Sequence, residues 1–129
     1  MYKCTKYKPN IIIDKDPGIY IFAAESGIGK TYMYKLFNNI ISFGENVFAY
    51  SYVDECKYRN LETMLKNKKY DVILIDRYDL YYKEEYNKLF EEASKYSVVL
   101  IDLKDNDKFI SKKEQVCLID FTEDCINVH

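Results

Sequence analysis

Ile19-Tyr20-Ile21-Phe22-Ala23-Ala24-Glu25-Ser26-Gly27-Ile28-Gly29-Lys30-Thr31 decides how the rest of the chain is read. Its first six residues form an apolar run of β-branched and aromatic types, the composition of a strand. Gly27 and Gly29 then allow backbone conformations closed to other residues. Beyond them, Met33, Leu36, Phe37, Ile40 and Ile41 are spaced i, i+3, i+4, i+7 and i+8. That spacing is one face of an amphipathic helix. Gly44 stands where a C′ glycine ends such a helix. A glycine-rich turn between a strand and a helix start gathers backbone N–H groups and the helix dipole around one point, which suits an anion.

Outward from this stretch, apolar runs alternate with helical patterns. On the N-terminal side, Asn10 to Ile13 is a short β-branched run, and Asp14-Lys15-Asp16-Pro17-Gly18 reads as a turn. The two runs flanking that turn predict an antiparallel hairpin at the start of the sheet. On the C-terminal side, Val47 to Val53 reads as a strand, and Tyr58, Leu61, Met64 and Leu65 as a short helix. Val72-Ile73-Leu74-Ile75 and Val98-Val99-Leu100-Ile101 are continuous apolar runs ending in Asp76 and Asp102. Strands covered on both faces by helices have this character. A helix over about 80–96 lies between them. Val116 to Phe121 reads as a further strand, with Ile126 to Val128 pairing back as a short terminal one. This alternation predicts one α/β domain over residues 1–129. Its three layers hold a mostly parallel central sheet of about five strands, flanked by helices, with a short N-terminal antiparallel strand. Ligands of such sheets bind at the C-terminal strand ends, which points to Ala24, Asp54, Asp76 and Asp102.

Composition narrows the function classes. The 129 residues carry 19 Lys+Arg against 21 Asp+Glu, a net charge of −2, so no dominant nucleic-acid footprint is visible. No apolar run approaches the ~20 residues that span a bilayer, and the first residues lack the apolar core of a secretory signal. These features predict a cytoplasmic protein without a membrane segment. Cys4, Cys56, Cys117 and Cys125 include no C-x-x-C pair, and His129 is the one histidine, so no zinc site is expected. Arg59 and Arg77 are the only arginines.

Ala24-Glu25-Ser26-Gly27-Ile28-Gly29-Lys30-Thr31 resembles the Walker A loop of P-loop NTPases, with Ala24 in place of the first glycine. Val72 to Asp76 resembles Walker B, whose aspartate holds Mg²⁺ beside the P-loop hydroxyl. The resemblance covers about residues 17–121. One strand-plus-helix unit lies between the P-loop strand and Asp76, and the strand 98–101 follows, an arrangement similar to the RecA/AAA-like branch. The resemblance implies the strand order last, P-loop, 98–101, 72–75, 47–53. It also implies bound ATP and Mg²⁺, with Glu25, Ser26, Gly27, Ile28, Gly29, Lys30, Thr31 and Tyr32 around the nucleotide. Thr31 and Asp76 would serve the metal, and Lys30 and Asp76 the chemistry.

The chain departs from that pattern at informative places. Members of the branch place a glutamate after the Walker B aspartate to activate water, and here Arg77 follows Asp76. Asp79 or Glu25 would have to polarise water instead. Asp102 takes a sensor-like position at the end of its strand. The absence of an N/T-K-x-D guanine-reading motif favours ATP over GTP. Asp76-Arg77-Tyr78 also looks like the motif of thymidylate kinases, but the arginine-free segment 103–115 leaves no room for their lid. The expectation is a slow or partner-stimulated ATPase acting as a switch or assembly factor, with a protein partner or a second copy. The rival is a P-loop-fold binding module without turnover. Tyr78-Asp79-Leu80-Tyr81-Tyr82 is the candidate surface for the partner.

Overall fold

The computed structural model of the chain describes residues 1–22, 30–57, 60–66, 68–104 and 115–129, with Lys30 and Thr31 described as backbone. In chain order the strands and helices are β1 (Tyr2–Cys4), β2 (Asn10–Ile13), β3 (Gly18–Phe22), α1 (Lys30–Ser42), β4 (Val47–Tyr50), α2 (Tyr52–Cys56), α3 (Leu61–Leu65), β5 (Val72–Ile75), α4 (Glu84–Ala93), β6 (Val98–Ile101), β7 (Gln115–Cys117), β8 (Ile119–Phe121) and β9 (Cys125–Val128). A 3-10 turn over Tyr78–Leu80 precedes α4.

The apolar runs form a five-stranded sheet ordered β4-β5-β6-β3-β7, in which every pairing is parallel. This is the order the resemblance implies, read from its other edge. β4, β5 and β6 are apolar throughout because alternate residues enter two separate cores. Tyr20, Phe22, Val47, Ala49, Val72, Leu74, Val98 and Leu100 face one side, with Met33, Phe37 and Ile40 of α1. Ile19, Ile21, Phe48, Tyr50, Ile73, Ile75, Val99 and Ile101 face the other, against Leu61 and Leu65 of α3 and Phe90 of α4.

α1 has the face its spacing predicts, and Gly44 ends it at φ 93°. Glu45 N–H donates to Ile40 O and Gly44 N–H to Ile41 O, at 3.1 and 3.0 Å. These are the two bonds of a Schellman stop, which needs the left-handed conformation that glycine adopts without strain.

The expected N-terminal hairpin is not what forms. β3 has β6 on one side and β7 on the other, so neither edge is open to β2. β2 joins a second, four-stranded sheet, ordered β1-β2-β9-β8. There it runs antiparallel to β1 and parallel to β9. Ile11, Ile13, Ile126 and Val128 of this small sheet share the core beneath α1. One face of the large sheet is therefore covered by a helix and a sheet together. The run 116–121 is likewise two strands: β7 ends in the large sheet, and the chain crosses at Leu118 into β8. Leu118 and His129 exchange both backbone bonds at that crossing. The strand expected to reach Val53 stops at Tyr50, and α2 begins within it at Tyr52; the helix expected near 58–65 is α3, with Tyr58 outside the described residues. The helix expected over 80–96 is the 3-10 turn followed by α4. No described helix is long and apolar enough to cross a membrane.

Candidate functional site

All five strands of the large sheet point their C-terminal ends the same way, so the residues that follow them gather on one rim. β3 ends at Phe22 and α1 begins at Lys30. The loop between them, with Glu25, Ser26, Gly27, Ile28 and Gly29, lies outside the described residues, as do the side chains of Lys30 and Thr31. Lys30 and Thr31 are the first two residues of α1. Tyr32 follows, exposed, with its ring edge-on to Phe121 at 5.1 Å.

Asp76 and Asp102 lie side by side at the ends of β5 and β6, one position past the Ile75–Ile101 pair. Backbone bonds extend the ladder around them. Asp76 N–H donates to Tyr50 O at 2.9 Å, Asp102 N–H to Ile75 O at 2.9 Å, and Tyr78 N–H to Asp102 O at 2.8 Å. Asp102 is buried and Asp76 half-buried. Arg77 turns the chain sharply with φ 46° and ψ 52°, a left-handed conformation unusual for a residue with a side chain. Its guanidinium grips Asp79 in a two-pronged bond, 3.1 Å on each prong. Lys104 N–H adds a third donor to Asp79 at 3.3 Å. Burial pushes the Asp79 carboxyl up, but the Arg77 bond and the Lys104 N–H outweigh it and hold the group below the usual carboxylate range. The bond to Asp79 also raises Arg77, with Asp102 and Asp76 adding to the effect.

Asp54 is not at a strand end. Ser51 starts α2 directly after β4, and Asp54 turns back to accept from Ser51 N–H at 2.9 Å, the reciprocal half of a capping box. Tyr34 of α1 donates to the same oxygen at 2.7 Å. This ties the helix that follows the phosphate-loop sequence to the end of β4.

Beside it, Glu55 collects donors from three side chains. Tyr86 reaches both of its oxygens, Tyr50 donates to Oε2, and Lys83 Nζ lies 2.9 Å from Oε1. Burial pushes the Glu55 carboxyl up, and these donors together pull it below its ordinary value. A depressed pKa means stability that is present above the unfolded value of about 4.3 and lost as pH falls through the folded one. The thermal midpoint of wild type minus that of Glu55→Gln should therefore be largest near neutral pH. It should shrink as pH falls below about 4.5. A difference that does not change between pH 7 and 3 would remove the ionised carboxylate from this account.

The tyrosine run is scaffold rather than surface. Tyr78 and Tyr81 are buried, Tyr82 is partly buried, and Leu80 between them stands out at 49% exposure. Tyr78 Oη lies 2.7 Å from both Lys83 O and Asn87 Oδ1, and accepts from Lys83 N–H at 3.2 Å. Tyr81 Oη donates to Asp76 O at 2.7 Å. Sequence reasoning missed Tyr34 and Glu55, and took Tyr81 for part of a partner surface. For Asp54, the Ser51-x-x-Asp54 spacing was a signal that could have placed it in a helix cap.

Among the described residues, no three His, Cys, Asp or Glu side chains gather as a metal cage. A Mg²⁺ ion at this rim would take one carboxylate, Asp76, and draw its other oxygens from phosphate and water, the usual way that ion is held. Comparison with protein-family models, with curated proteins and with solved structures found no match.

Proposed function

We propose that the chain is a Mg-ATP-binding P-loop protein of the RecA/AAA-like kind, a slow or partner-stimulated cytoplasmic ATPase acting as a switch or assembly factor. One observation carries the reading. The loop with the phosphate-cradle sequence leaves β3, an inner strand of the parallel sheet, and enters α1, while Asp76 ends β5 on the same rim. The strand order also supports it.

On this reading the backbone N–H groups of the loop and the start of α1 hold the phosphates, and Lys30 neutralises their outer charge. Thr31 and Asp76 hold Mg²⁺, which when bound offsets charge that builds on the transferring phosphoryl group. Asp102 adds a second carboxylate beside Asp76 on the rim. Water activation is the weak part. Arg77 stands where the glutamate would be, and Asp79 has both oxygens committed to that arginine. A carboxylate held this way is a poor base. Turnover without help is accordingly slow, and a cation supplied by a partner or a second copy would speed it.

The test is the thermal midpoint with and without Mg-ATP. At 100 times Kd the ligand stabilises by about 2.7 kcal/mol, a shift of several degrees for a domain of this size. No shift with ATP, GTP or ADP overturns the reading. The second reading, a nucleotide-binding module without turnover, is favoured by the same Arg77–Asp79 bond; a midpoint shift with no phosphate release alone or with a partner would select it. That bond also speaks against a small nucleotide kinase, in which Arg77 would hold phosphate.

A further inference from the structure

Both backbone groups of Asp76 are spoken for. Its N–H is bonded to Tyr50 O, which ends the β4–β5 ladder, and its carbonyl accepts from Tyr81 Oη at 2.7 Å. The next residue, Arg77, turns left-handed, so the chain changes direction directly after Asp76. At this turn the Tyr81 hydroxyl holds the Asp76 carbonyl.

Tyr81 is itself firmly held. It is 6% exposed, and its ring packs edge-on against Tyr50 at 5.7 Å and Tyr78 at 5.5 Å. The phenol oxygen lies 3.4 Å from Tyr50 O, so it sits across the ends of β4 and β5 together. Burial raises the phenol far above its ordinary pKa, so the hydroxyl keeps its proton and remains a donor.

We propose that Tyr81 is a positioning residue for Asp76: its hydroxyl fixes the Asp76 peptide and so aims the carboxylate at the cation of a bound Mg-nucleotide. This rests on the reading of the rim as a Mg-ATP site. A rotation of that peptide would swing the carboxylate, and a cation that demands near-octahedral geometry tolerates little of it. Binding of the phosphates by the loop would be untouched, because the Tyr81 hydroxyl bonds the ends of β4 and β5.

The experiment is calorimetric titration of ATP in EDTA and across a Mg²⁺ series. It uses wild type, Tyr81→Phe, Tyr82→Phe, Asp76→Asn and the Tyr81→Phe/Asp76→Asn double variant. Tyr82→Phe removes a hydroxyl of the same cluster that bonds Asn87 and Glu84. Tyr81→Phe keeps the ring and should leave ATP affinity in EDTA within about twofold. It should raise the Mg²⁺ concentration for half-maximal enhancement about fivefold, the worth of one neutral hydrogen bond. Tyr82→Phe should match wild type, and in the Asp76→Asn background Tyr81→Phe should change nothing further. A wild-type Mg²⁺ midpoint in Tyr81→Phe overturns the proposal. So does an equal loss of affinity in EDTA, a loss that persists in the Asp76→Asn background, or a Tyr81→Phe chain that fails to fold, since each makes the hydroxyl structural. Wild type that binds no ATP with Mg²⁺ overturns the rim reading first, and this proposal with it.

Discussion

Tyr78→Ala should lower stability by about 3–5 kcal/mol and the thermal midpoint by roughly 10–20 °C. Tyr78 is fully buried, and its ring meets Tyr81, Tyr82 and Phe90 at 5.1–5.5 Å between centroids. Alanine would leave a void among three aromatic rings and strip the Lys83 N–H of its acceptor and Asn87 of its hydroxyl neighbour. Tyr78→Phe isolates the polar part and should cost about 1–3 kcal/mol, the penalty for leaving buried partners unmade. Leu80→Ala, two residues away and exposed, should stay within about 0.5 kcal/mol of wild type. Urea unfolding of the three variants decides the matter. If Tyr78→Ala proved as mild as Leu80→Ala, the tyrosine run would return to being a surface.

Lys30→Ala should do the opposite, leaving the free protein alone and removing its response to ligand. At a Mg-ATP concentration that stabilises wild type by about 2.7 kcal/mol, a site weakened a hundredfold gains only about 0.4 kcal/mol. A hundredfold loss corresponds to about one or two charge-assisted bonds to phosphate. The free variant should melt within about 0.5 kcal/mol of wild type, because alanine is a good helix former at the start of α1. The pair of melts, with and without Mg-ATP, thus separates a binding defect from a folding defect. A full ligand shift in Lys30→Ala would move the nucleotide away from the loop.

The large sheet was legible because its strands are apolar on both faces, as in Val72–Ile75 and Val98–Ile101, and α1 because its face and Gly44 stop are local signals. The small sheet was not legible. β1 is three residues long, and β2 looks the same whether it turns back in a hairpin or leaves for another sheet. Nothing between Gln115 and Phe121 marks the change of sheet at Leu118, since no glycine or proline interrupts the run. At the rim, Asp76 and Asp102 follow from where their strands end. The Arg77–Asp79 pair was foreseeable from two residues' separation. Tyr34 and Tyr81 were not, because a tyrosine's ring fits core and surface alike and their partners depend on tertiary packing.

The parallel pairing of β2 with β9 has a meaning during synthesis on the ribosome. Asn10–Ile13 is made before one of its two neighbours, Cys125–Val128, which lies about 110 residues further along the chain. Until then Ile11 and Ile13 have only the three residues of β1 beside them, and an isolated two-stranded pair is marginal in water. β2 thus waits, half-partnered, while everything between it and Cys125 is made, and the arrival of β9 brings Ile126 and Val128 into the core beneath α1.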